Sequence, residues 1–145
     1  MIIEHVTLEN VDLAVSVYEA AWRESHKDVC TPEFLAKRDC RGYLISRIPH
    51  MYLVTDDIPV GVFYLSDCEI ADLYIHPDCQ NKGYGKRIID FVKMKCNKLT
   101  LIVLSSNCNA IRFYEREGFR FTGNNKLIRM GLWEQEMQFT EKSSW

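Results

Sequence analysis

The chain has 145 residues, 47% of them hydrophobic and 26% charged, with a formal net charge of −2. That length suits one domain, residues 1–145, with a single substantial core, and the proportions exclude a disordered, fibrous or membrane protein. The balance of charge gives no global pull toward nucleic acid or acidic lipid, so neither is expected as a partner.

Residues Ile2 to Val6 predict a first strand. From Asn10 to about Glu24, Val11, Ala14, Val15, Tyr18 and Trp22 recur at helical spacing. Thr31-Pro32-Glu33 starts a second helix, with Thr as N-cap and Pro in the first turn. That helix is short, ending near Cys40 to Gly42, and Tyr43 to Ile48 adds another turn. Met51 to Thr55 and Val60 to Leu65 flank the turn residues Asp56-Asp57-Ile58-Pro59, which predicts a hairpin. Glu69 to Ile75 is the next strand, joined by so short a link that an antiparallel neighbour is expected.

Beyond Pro77 the pattern changes. Gly83 to Asn97 is helical, with Ile88, Ile89, Val92 and Cys96 on one stripe. The apolar run Leu99 to Leu104 predicts a strand buried on both faces. A helix spans about Cys108 to Glu117 and stops at Gly118. Phe119 to Thr122 and Leu132 to Phe139 predict closing strands around a polar loop at Gly123-Asn124-Asn125. The expected order is β-α-α-β-β-β-α-β-α-β-β. This is a mixed α/β (α+β) domain with six to seven strands and four helices.

No apolar run approaches the about 20 residues that cross a bilayer. Met1-Ile2-Ile3-Glu4-His5 lacks the basic-then-apolar order of a secretory leader, so a cytoplasmic protein is expected, with no membrane partner. The six cysteines, Cys30, Cys40, Cys68, Cys79, Cys96 and Cys108, include no C-x-x-C pair and match no common zinc spacing. They are read as reduced thiols, and no metal is expected.

The richest stretch is Gln80-Asn81-Lys82-Gly83-Tyr84-Gly85-Lys86, between a strand and a helix. Glycines without Cβ let backbone N–H groups approach a ligand, and the helix N-terminus favours an anion. Lys82, Lys86 and Arg87 add positive charge. These features describe a pyrophosphate cradle. The segment is neither a Walker loop, lacking G-x-x-x-x-G-K-[ST], nor a dinucleotide loop, since Ile88 stands where a third glycine is needed.

The chain resembles the GNAT superfamily of N-acetyltransferases in two motifs. Gln80-Asn81-Lys82-Gly83-Tyr84-Gly85 fills the family's [Q/R]-x-x-G-x-[G/A] element, preceded by Leu73-Tyr74-Ile75-His76-Pro77. Asn107-Cys108-Asn109-Ala110 through Tyr114 to Gly118-Phe119 is similar to its N-x-x-A-x-x-x-Y-x-x-x-G-F element. The resemblance implies the family's fold and acetyl transfer from acetyl-CoA to a primary amine in a ternary complex. The backbone of Leu73, Tyr74 and Ile75 would then bond the pantetheine arm, and the fourth and fifth strands would splay to admit it. Backbone N–H groups of residues 80–86 would hold the pyrophosphate. Asn107 would contact the pantetheine region or cap the helix that follows it.

By the same resemblance Tyr114 is the candidate acid that protonates the departing thiolate; read from the residues alone it is a core aromatic. Glu69 is the leading candidate base, with Asp72 next and on the opposite face of the strand, and a water chain as the third option. Trp22 and His26 border the expected acceptor site, where Trp22 stacks on a substrate or caps its helix, and His26 accepts a proton or is solvated. The acceptor is a small-molecule amine or a peptide amine, and the protein a monomer or homodimer. A non-catalytic acyl-CoA sensor is the alternative; it would keep the cradle without needing Tyr114.

Overall fold

The computed structural model describes residues 1–28 and 30–141. Its elements are β1 (Ile2–His5), α1 (Val11–His26), α2 (Pro32–Lys37), α3 (Cys40–Arg47), β2 (Met51–Asp56), β3 (Ile58–Ser66), β4 (Glu69–Ile75), a 3-10 turn (Pro77–Cys79), α4 (Tyr84–Lys95), β5 (Lys98–Leu104), α5 (Cys108–Arg116), β6 (Arg120–Arg129) and β7 (Leu132–Thr140). The strands form one seven-stranded sheet in the order β1-β2-β3-β4-β5-β7-β6. β4 and β5 are parallel, whereas β1–β2, β2–β3, β5–β7 and β6–β7 are antiparallel. The mixed α/β class is the predicted one. The chain divides into two compact units, Met1–Leu65 with Asp72–Gly85, and Ser66–Ala71 with Lys86–Trp145.

In the first unit, α1 turns Val11, Ala14, Val17, Tyr18 and Trp22 inward, where they join Leu44 of α3 with Met51, Leu53 and Val62 of the β2–β3 hairpin. Among the described residues there are five helices where four are expected, because the second predicted helix is two. Arg38 is extended after α2, and Asp39 restarts the chain by accepting the Gly42 N–H at 2.9 Å, the N-cap of α3.

In the second unit, Ile88, Ile89 and Val92 of α4, Leu99, Leu101 and Val103 of β5, Phe119, and Met137 of β7 are buried. Here the structure corrects three expectations. The strand β5 is buried on one face only: Ile102 and Leu104, alternating with the buried side chains, are 49% and 42% exposed. The predicted loop Gly123-Asn124-Asn125 lies inside β6, and the hairpin turns at Met130-Gly131 instead. Between the pairs Phe121↔Met137 and Asn125↔Gln135 the register shifts as a bulge. The Glu136 carboxylate fastens that bulge by accepting from Thr122 Oγ1 at 2.8 Å and Asn124 Nδ2 at 3.0 Å, and these bonds hold its pKa below the usual value. Finally, Cys68 and Cys96 form a disulfide, so not all thiols are reduced; Cys30, Cys40, Cys79 and Cys108 are free.

Phe119 follows Gly118, whose φ of +95° ends the α5 segment in the left-handed region. The Phe119 ring is fully buried between Tyr114 at 5.5 Å and Phe139 at 5.8 Å. Phe119→Ala is expected to cost about 3–5 kcal/mol of unfolding free energy in a urea titration. A loss under about 1 kcal/mol would mean that this ring does not anchor the unit.

Candidate functional site

Within the first unit, β4 leads through the 3-10 turn into the predicted cradle. The His76 N–H donates to Val60 O at 2.9 Å, and the Cys79 N–H donates to His76 O at 2.8 Å. His76 Nδ1 accepts the Asp78 N–H at 3.1 Å, and Cys79 is buried. The Gln80 side chain reaches back to donate to Ile75 O at 3.1 Å. These bonds fix the path of the chain between the strand end and the loop, so the loop's backbone is held before any ligand arrives.

Asn81 and Gly83 then take φ of +62° and +86°. Left-handed residues at alternate positions bend the backbone so that its N–H groups turn toward a common concavity, a geometry suited to an anion. A Cβ placed on Gly83 would meet nothing within 4 Å, so the space beside it is open. Tyr84 opens α4, and its hydroxyl donates to Asp56 Oδ2 at 2.6 Å, pinning the helix start to the end of β2. The first turn of α4 presents backbone N–H groups with no partner inside the helix. A hydrogen-bonded approach, two left-handed residues, open space and a pinned helix N-terminus fit a pyrophosphate.

Lys82 is exposed in this loop. Lys86, which belongs to the second unit, faces Asp90 at 3.4 Å and Glu117 at 3.5 Å, which raise its pKa. Part of the charge counted from the sequence is therefore taken up by neighbours.

Of the two candidate bases, Glu69 is exposed at the start of β4, opposite Thr100 of β5. Asp72 is different. Its φ of +48° disturbs the pleat of β4, so regular alternation with Glu69 is not kept there. Its carboxylate accepts from the Tyr43 hydroxyl at 2.6 Å and from Arg47 at 2.9 Å. Leu73, Tyr74 and Ile75 follow, partly buried, with the Tyr74 ring edge-on to Tyr18 at 5.3 Å.

On α5, Asn107 caps the helix by accepting the Ala110 N–H at 3.2 Å, one of the two roles expected of it. Tyr114 packs edge-on against Phe113 at 5.1 Å and Phe119 at 5.5 Å. Burial pushes its pKa up to about 12, which keeps the phenol protonated at neutral pH. Among the described residues its hydroxyl has no hydrogen-bond partner.

Near the end of α1, Trp22 is only 6% exposed and stacks on His26 at 4.3 Å. His26 Nδ1 lies 2.8 Å from both Trp22 O and Ser25 Oγ, so the ring is fastened to its own helix. Arg38, Tyr43, Arg47 and Tyr64, not expected at a site from the sequence, gather around Asp72 and Tyr18. Tyr43 and Arg47 stand one helical turn apart on α3, and that spacing was the available signal.

A family model described as an acetyltransferase (GNAT) domain matches residues 13–141. A peptidyl-lysine N-acetyltransferase, YjaB of Salmonella typhimurium, is 33% identical over 119 residues, covering 77% of this chain and 81% of that one. The solution structure of apo YjaB from Escherichia coli superposes with a TM-score of 0.74 at 21% identity, covering 98% of this chain and all of that one. A PaiA N-acetyltransferase of Thermoplasma acidophilum, crystallised with coenzyme A, superposes at 0.73 with 16% identity, covering 96% and 98%. Among the described residues no helix is long and apolar enough to cross a membrane, and no acidic, His or Cys cluster is suited to a metal.

Proposed function

The chain belongs to the GNAT family of acetyltransferases, and from that membership we propose that it carries the acetyl group of acetyl-CoA directly to the ε-amine of a peptidyl lysine. The observation that carries the proposal is the 33% identity, across most of both chains, to a peptidyl-lysine N-acetyltransferase. The built cradle of residues 80–85 agrees with it.

Acetyl-CoA supplies an activated thioester; the chain's own residues must hold it and move two protons. The backbone N–H groups of Gln80, Asn81, Lys82, Gly83, Tyr84, Gly85 and Lys86 hold the pyrophosphate, and the backbone of Leu73, Tyr74 and Ile75 bonds the pantetheine arm. The lysine arrives as an ammonium near pKa 10.4, so its proton must leave before nitrogen attacks the carbonyl carbon. Glu69, exposed on β4, takes that proton directly or through water; Asp72 is already engaged by Tyr43 and Arg47. As the carbon–sulfur bond breaks, Tyr114 gives its phenolic proton to the thiolate and regains one from the attacking nitrogen, whose second proton is relayed through water. No covalent enzyme intermediate is required.

Glu69→Gln is expected to remove or displace the acidic limb of the kcat/KM profile and to lower its plateau about 10²-fold. An unshifted limb assigns the proton to another group. Incubation with acetyl-CoA and lysine peptides, followed by mass spectrometry and initial-velocity analysis, tests the function itself. Acetylation at the ε-amine with intersecting velocity lines is expected; modification confined to α-amines, or parallel lines, would reject the proposal.

A further inference from the structure

The cluster around Asp72 contains more positive charge than its acids balance. The Arg38 guanidinium lies 5.1 Å from the Trp22 ring and 4.6 Å from the Tyr43 ring, and its Nη2 donates to the Tyr18 hydroxyl at 3.0 Å. The Arg47 guanidinium lies 4.0 Å from the Tyr64 ring and 5.2 Å from Tyr43, and pairs with Asp72 at 2.9 Å. Asp72 thus balances Arg47, while Arg38 has no carboxylate partner among the described residues. The surrounding phenols do not supply the missing charge, since burial raises the pKa of Tyr18, Tyr43 and Tyr74 and keeps them neutral. Nearby acids are committed elsewhere: Glu19 to Arg23, Asp39 to the α3 cap.

In addition, the Nε atoms of Arg38 and Arg47 are buried without a hydrogen-bond partner. A guanidinium drawn partly out of water calls for a counter-ion, and its planar fork matches a carboxylate. The flanking aromatic faces limit its rotation and so prepare it for one. The cluster also runs onto β4, through the hydrogen bonds of Asp72 and the Tyr18–Tyr74 contact, along the strand assigned above to the pantetheine arm.

We propose that Arg38 receives a carboxylate of the acceptor peptide, from an acidic side chain near the target lysine or from a free C-terminus. This rests on the lysine acetyltransferase reading, so binding and turnover are measured separately.

The test uses fluorescent lysine peptides with the full chain and saturating CoA. One amidated peptide has Asp or Glu beside the lysine, a second has Asn or Gln there, and a third is neutral with a free C-terminus. At least one carboxylate peptide is expected to bind about 10- to 10²-fold more tightly than the neutral amide, the range of a charge-assisted hydrogen bond. Arg38→Gln should abolish that advantage, Arg38→Lys should reduce it several-fold, and Lys126→Gln on exposed β6 should keep it. Circular dichroism checks each fold, and if Arg38→Gln does not fold, Arg38→Lys decides.

Equal affinity of the wild type for all three peptides, no binding of any, or an advantage unchanged in the folded Arg38 variants would overturn the proposal. Tight, Arg38-dependent binding without acetylation of any lysine would uphold the carboxylate site and reject the lysine acetyltransferase reading.

Discussion

Tyr114→Phe is expected to lower kcat about 10²-fold while leaving stability and the KM for acetyl-CoA nearly unchanged. The substitution keeps the ring that packs against Phe113 and Phe119 and removes only a hydroxyl with no partner among the described residues. A purely structural tyrosine would therefore give a silent variant. The acid role needs a protonated phenol, and burial supplies one by pushing the pKa up to about 12. The sign follows: a raised pKa keeps the donor form full as pH rises from 7 to 10, so Tyr114 adds no basic limb in that window. Stopped assays from pH 6 to 10 on both proteins check this. A kcat within a few-fold of wild type would remove Tyr114 from the mechanism.

Gly83→Val is expected to raise the KM for acetyl-CoA about 10- to 10²-fold. Nothing lies within 4 Å of a Cβ there, so the effect does not come from a clash. It comes from a φ of +86°, which costs a non-glycine residue about 1–2 kcal/mol and a β-branched one more. The loop must then leave the conformation that turns its N–H groups together. Each 1.4 kcal/mol of lost binding is about tenfold in affinity. S-acetyl-pantetheine, which has no pyrophosphate, separates a local effect from a global one: the penalty should vanish with that substrate. Equal penalties on both substrates, or none on acetyl-CoA, would take the pyrophosphate away from this loop.

The parts of the fold legible in the sequence are those governed by near neighbours. Asn107 and Thr31 cap helices through N–H groups three residues on, and each was readable from its own segment. Gly118 is readable for the same reason, whereas Gly83, expected as the first residue of a helix, is left-handed just before α4 begins. Asp39 was an equally local cap for α3 and was overlooked, so two helices were read as one with an added turn.

The misreadings elsewhere have distant causes. Glu136, on the partner strand, turns Gly123-Asn124-Asn125 from a loop into a bulge. Cys96 finds Cys68 only because α4 ends near the start of β4. For the candidate site, the cradle could be read from its glycines and helix start. Of the Arg38–Asp72 cluster only the one-turn spacing of Tyr43 and Arg47 on α3 is local; the rest is brought together from α1, β3 and β4 by packing.

Free thiol released from acetyl-CoA measures acetyl transfer to an amine most directly. Thiol release that depends on added lysine peptide and falls about 10²-fold in Tyr114→Phe is the expected result. Acetyl-CoA bound but never consumed, whatever amine is supplied, would contradict it.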